Sequence, residues 1–95
     1  MTVSVEKVER ELKIPREDLL REGIRRFLEF ELRRLSAEKA AICVRHGVAC
    51  FDELWRKLEK GDVEEGACWE DLVRLEFLEL RSDKVVSLLK EHTEA

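Results

Sequence analysis

From Arg16 to His46 the chain has no proline and a single glycine, Gly23. Leu20, Ile24, Phe27, Leu28, Leu32 and Leu35 recur there at steps of mostly three and four, an unbroken apolar stripe at helical period. Ala37, Ala40, Ala41, Ile42 and Val44 carry it on with smaller side chains. The pattern predicts one long helix over about 15–46. Pro15 suits a first turn, Glu17 and Asp18 suit the positive end of the dipole, and Gly47 reads as a left-handed C-terminal cap. About 30 residues at 1.5 Å each give roughly 45 Å, longer than a globule of this mass is wide. Such a helix must either break, with Ser36 the natural place, or pack against another chain.

The rest of the chain agrees with a helical protein. Among 95 residues there are four Gly, one Pro and no Tyr, too few turn formers and aromatics for a sheet-rich fold. The longest apolar run is Ala40-Ala41-Ile42-Cys43-Val44, far short of the roughly 20 residues a membrane span needs. The N-terminus lacks the apolar segment of a signal peptide. The expectation is a soluble, cytoplasmic, all-α chain of about four helices in a dimeric assembly. Thr2-Val3-Ser4-Val5 alternates polar and apolar and reads either as a short strand or as a lead-in capped by Ser4. Val5, Val8 and Leu12 follow at helical spacing up to Ile14-Pro15, where proline restricts its predecessor. Cys50-Phe51-Asp52-Glu53 opens a short helix with a capping-box pattern. Phe51, Leu54, Trp55 and Leu58 form its apolar face, Trp55 within the chain's own core, and Gly61 ends it. Residues 62–67 read as a polar loop.

The last helix, read from about Trp69 to residue 91, carries two apolar seams. Leu72, Leu75, Leu78, Ser82, Val85 and Leu89 step close to a heptad, while Trp69, Val73, Phe77, Leu80 and Leu88 mark a second stripe. One face suffices for a helix in a minimal bundle. A second face implies either a central helix enclosed by its own chain or a second chain laid against it.

Charge divides the chain as well. Residues 1–47 carry 11 Lys/Arg against 9 Asp/Glu, and residues 48–95 carry 7 against 13, within a net charge of −4. That suits two different surfaces, although solvated helix faces produce imbalances by chance. The inventory for catalysis is nearly empty. There is no Ser-His-Asp arrangement, phosphate loop or H-E-x-x-H pattern. The i, i+4 pairs Glu22–Arg26, Glu29–Arg33 and Glu70–Arg74 read as surface ion pairs. Cys43, Cys50 and Cys68 have no close C-x-x-C spacing. Cys43 and His46 share a helical face but have no obvious further ligands, so no metal or cofactor is expected and the cysteines read as small buried hydrophobes. The basic side chains of the long helix, Arg16 to Arg34, are interleaved with carboxylates, which favours a mixed-charge solvated face over a phosphate-binding one. Phe27 and Phe30 read as core.

Residues 12–29, Leu-Lys-Ile-Pro-Arg-Glu-Asp-Leu-Leu-Arg-Glu-Gly-Ile-Arg-Arg-Phe-Leu-Glu, resemble the turn and second helix of ribbon-helix-helix antitoxins. Arg45-His46-Gly47-Val48, Phe51-Asp52-Glu53-Leu54, Lys60-Gly61 and Trp69-Glu70-Asp71-Leu72 are similar to a pattern of small archaeal antitoxin-like proteins of the VapB kind. The resemblance implies a non-enzymatic antitoxin that neutralises a toxin ribonuclease, commonly of the PIN-domain class, by direct binding. It implies a ribbon-helix-helix-like dimerisation segment over 1–47, with Leu20, Ile24, Phe27, Leu28, Leu32 and Leu35 at the contact. An acidic partner-binding segment follows over 48–95, with Trp69, Leu72, Val73, Phe77, Leu80 and Val85 on the toxin. Outward ribbon residues Thr2 and Ser4, with Arg16, would contact DNA, but the ribbon has no Arg, Lys, Asn or Gln. The alternatives are a helical assembly subunit without a toxin partner and a ribbon-helix-helix-like DNA-binding regulator.

Overall fold

The computed structural model describes residues 2–61 and 65–94, and within them the chain is all-helical with no strand. The helices are α1 (Val5–Leu12), α2 (Arg16–His46), α3 (Phe51–Glu59) and α4 (Glu65–Glu94). The N-terminal strand is therefore not formed. Ser4 is extended and its side chain accepts a hydrogen bond from the Lys7 amide at 3.2 Å, so Ser4 caps α1 and Val5 belongs to the helix. Lys13 then turns the chain in the left-handed region at φ 56°, and Pro15 starts α2.

α2 runs unbroken through Ser36 for 31 residues, because nothing between Pro15 and Gly47 removes an amide or demands another conformation. Gly47 closes it at φ 62°, with its amide donating to the carbonyls of Cys43 and Val44. The long helix packs along α4 of its own chain, so its length needs no break. The two form an antiparallel hairpin. Arg45 and His46 meet Asp71, Glu38 meets Arg74, Glu31 meets Arg81, and at the far end the His92 ring meets the Arg21 carbonyl.

The seam of this hairpin is the core. Leu28, Leu35, Ile42 and Cys43 of α2 face Cys68, Leu72, Leu75, Leu78 and Val85 of α4, and Leu54 of α3 closes the end near the α2–α3 turn. Leu35, Leu54, Leu75 and Leu78 are wholly buried, each burial contributing about 1.5–3 kcal/mol. Carboxylates cap α3. The Ala49 amide donates to Glu53 at 2.6 Å, and the Phe51 amide donates to Glu79 of α4 at 2.8 Å. Cys50 makes no side-chain cap bond, and Glu53 reaches the amide of Ala49, one residue before the N-cap, so the expected capping box is replaced by a carboxylate bond one residue earlier. α4 begins by Glu65, not Trp69, so residues 65–67 are helical where a loop was expected; residues 62–64 lie outside the described residues.

The product is long and thin. Its principal extents are 60 × 33 × 16 Å and its radius of gyration is 19.0 Å, against about 12 Å for a compact chain of this length. It exposes 7363 Å², where about 5,700 Å² is usual for a folded chain of this mass. No described helix is long and apolar enough to cross a membrane.

Candidate partner-binding surfaces

The two seams read in α4 have different fates. At about 100° per residue, Cys68, Leu72, Leu75, Leu78, Ser82 and Val85 cluster on one side of the helix, and all are buried. Trp69, Val73, Phe77 and Leu80 lie about half a turn round from Leu75 and Leu78. They are 50%, 53%, 48% and 58% exposed. Leu88 extends the row at 48%. From Trp69 to Leu88 this outer row spans about 28 Å. A helix with apolar side chains all round is ordinarily covered on every side; α4 is covered on one.

The expected toxin-binding set therefore splits. Leu72 and Val85 belong to the chain's own core, because α2 lies over them, and they are withdrawn from the surface. Trp69, Val73, Phe77 and Leu80 remain. The expected dimerisation set splits likewise. Leu28 and Leu35 are buried against α4 and Leu32 packs beside them, with Leu28 also at the floor of the groove between α1 and α2. Leu20, Ile24 and Phe27 stay about half exposed. Phe30 and Trp55 were expected inside, as was Phe27, but all three are exposed; Leu54, the neighbour of Trp55, anchors α3 instead.

Electrostatics separate the hairpin's flank from the outer row. Along the flank, Glu31, Glu38 and Asp71 each bridge to a basic partner. Glu31 is nearly buried and binds Arg34 at 2.9 Å and the Nε of Arg81 at 2.8 Å. Hydrogen bonds from Arg34 and Arg81 hold its pKa below the ordinary carboxylate value. Arg74 does the same for Glu38, and His46 with Arg45 for Asp71. Arg74, gripped by Glu38, also sits over the Phe77 ring, 5.1 Å from its centroid. That cation–π contact holds an outer-row aromatic in place. Sequence spacing had assigned Arg74 to Glu70 and Arg33 to Glu29, but neither pair forms; Glu22–Arg26 does, at 3.1 Å. No pattern in the sequence points to Glu31 or to Glu79, because each is defined by a helix distant in the chain. Around the outer row, Glu70, Glu76, Asp83 and Lys84 make no ion pair among the described residues, so its border carries an excess of unpaired carboxylates with one lysine among them.

A second apolar surface lies at the α1 end of the hairpin, where Leu88 of the outer row comes beside Ile24 and Leu28. α1 folds against the start of α2 and leaves a groove of about 460 Å³ lined by Val5, Val8, Leu19, Leu20, Ile24 and Phe27, with Gly23 in its wall.

The positions expected to contact DNA are otherwise engaged. The Ser4 hydroxyl is committed to its cap, and Arg16 is held by Glu6 at 2.5 Å and Glu9 at 3.2 Å. Thr2 is exposed, but without a strand it has no ribbon to project from. The described residues bring no three metal-ligating side chains together. Cys43 and Cys68 are buried free thiols whose pKa values burial pushes up, which suits inert packing groups. His46 bonds Asp71 at 2.7 Å, while its carbonyl accepts from Lys57 at 2.6 Å. This cluster ties the end of α2 to α3 and α4.

Comparison with known proteins gives a consistent family. The model of the family described as "Uncharacterized protein MJ0235 family" matches residues 1–95. A protein of Methanocaldococcus jannaschii, printed as "Uncharacterized protein MJ0235", is 38% identical over 65 residues, which cover 68% of this chain and 78% of that protein. No solved structure matches.

Proposed function

The chain belongs to the MJ0235 family, and we propose that it is a non-catalytic binding protein that docks a second protein on the outer row of α4. In its specific form the proposal is a cytoplasmic antitoxin, dimeric, that neutralises a toxin ribonuclease by direct contact. The observation that carries the binding role is the outer row itself. Trp69, Val73, Phe77 and Leu80 are apolar and aligned, and they lie opposite the core of the helix that bears them. Aromatic side chains of this kind supply most of the energy of protein interfaces. The excess of carboxylates at the row's border, Glu70, Glu76 and Asp83 against Lys84, fits a partner with a basic surface, as a ribonuclease has where it holds phosphates. The toxin as partner comes from the antitoxin resemblance of residues 12–29 and 45–72.

The test is co-expression with the protein encoded beside this one. The chain is expected to restore growth to cells poisoned by that product and to inhibit its ribonuclease activity at equimolar ratio. Phe77→Asp is expected to lose both effects with an unchanged helical circular-dichroism spectrum. A neighbouring product that is neither toxic nor bound removes the antitoxin reading. A Phe77→Asp chain that still neutralises removes the outer row from it. A helical assembly subunit is the second reading, favoured by the groove between α1 and α2, a second apolar surface besides Trp69, Val73, Phe77 and Leu80.

A further inference from the structure

We infer that a second copy of this chain closes the groove between α1 and α2, the two α2 helices crossing at Gly23. The inference deepens the dimeric part of the proposed function by naming its face, and rests on that part alone.

Gly23 lies in the eighth position of α2, well inside a continuous helix. Glycine there is destabilising relative to alanine, and its backbone is not in the left-handed region that would demand glycine. A Cβ placed on it meets no atom of the chain within 4 Å. The chain's own packing therefore gives no reason for a missing side chain. Close approach of a backbone from outside gives one.

The groove also needs a cover. α1 has only eight residues and none of them is buried, whereas isolated helices of that length are unstable in water. Its apolar side chains, Val5 and Val8, gain burial only if something fills the space they share with Leu20, Ile24 and Phe27.

Charge and area point to a second copy as the occupant. The groove is lined by no charged side chain. On the same stretch of the chain, Arg16 is paired with Glu6 and Glu9, and Glu22 with Arg25 and Arg26. An uncharged lining makes no demand for an oppositely charged partner and suits an isologous contact, in which a surface meets itself. The outer row of α4 lacks this property. Charged side chains that make no ion pair among the described residues, Glu70, Glu76, Asp83 and Lys84, lie along it. The chain's surface of 7363 Å² exceeds the usual value for its mass by about 1,700 Å². A standard dimer takes about 800 Å² from each copy, which leaves a comparable area for the outer row.

Sedimentation equilibrium of the full chain, alone, from 1 to 100 µM tests the inference. The wild type is expected to be a dimer. Gly23→Leu is expected to weaken dimerisation at least tenfold with unchanged helical content, and Phe27→Lys, at an already exposed position, to do the same. Phe77→Asp is expected to remain dimeric. A monomeric wild type at 100 µM overturns the inference. So does a dimer that survives both groove variants, or one that only Phe77→Asp dissolves. None of these outcomes depends on a toxin, so loss of toxin binding with the dimer intact would count against the antitoxin reading alone.

Discussion

The two faces of α4 have similar composition and opposite circumstances. Leu75 and Leu78 lie under α2 with no exposed surface, while Phe77 and Leu80, two residues further along in each case, are about half exposed. Composition cannot tell these rows apart, because both are apolar at helical spacing. What separates them is the partner. The inner row is met by Leu28, Leu35 and Ile42 of the same chain, while the outer row stays about half exposed. The inner row serves stability and, under the proposed function, the outer row serves recognition, so substitutions on the two faces should move different observables.

The largest effect is expected from Leu75→Ala, which should cost about 2–5 kcal/mol of folding free energy because it opens a cavity in the seam; urea unfolding reads it. The same truncation at Phe77 is expected to stay within about 0.5 kcal/mol of wild type while weakening partner binding by 2 kcal/mol or more, about thirtyfold. Titration calorimetry with the partner measures the second quantity. If Phe77→Ala unfolds the chain as Leu75→Ala does, the distinction between the faces is lost.

These two residues also mark how far the sequence could be read. The helical course of residues 16–46, the helix over 5–12 and the cap at Gly47 follow from spacing, proline and glycine, which act locally. Which apolar residues are covered is not local. Phe27 and Leu28 are neighbours in one stripe, yet Leu28 is buried and Phe27 exposed, because α4 crosses over one and not the other. Trp55 and Leu54 divide in the same way on α3. Glu31 reads as a surface acid in a mixed-charge run, and only the antiparallel register reveals its burial between Arg34 and Arg81. The outer row was legible as a second stripe; its exposure required the fold.

A smaller effect should follow pH. The folded chain holds the carboxyls of Asp71, Glu31 and Glu38 below their ordinary pKa values, so the unfolded chain takes up protons first on acidification. Their contribution is complete above about pH 5 and drains away as pH falls through 4 and below. Asp71→Asn should flatten part of that acid limb in urea titrations at successive pH values. It should leave partner affinity unchanged, because Asp71 ties α2 to α4 and lies off the outer row. The smallest effect belongs to Lys13→Gly. Glycine relieves the left-handed strain at φ 56°, and the gain should be about 0.5–1 kcal/mol with no change in binding. This variant is a control that moves stability alone.

Trp69 offers the most direct reading of the outer face. In a Trp55→Phe chain it is the only tryptophan, and it is half exposed. Its fluorescence in the free chain should be red-shifted and readily quenched by acrylamide. Addition of the neighbouring gene product should shift the emission to the blue and suppress quenching at a one-to-one ratio. A Trp69 already shielded in the free chain, or one whose emission and quenching stay unchanged in the complex, would contradict the assignment of this face to a partner.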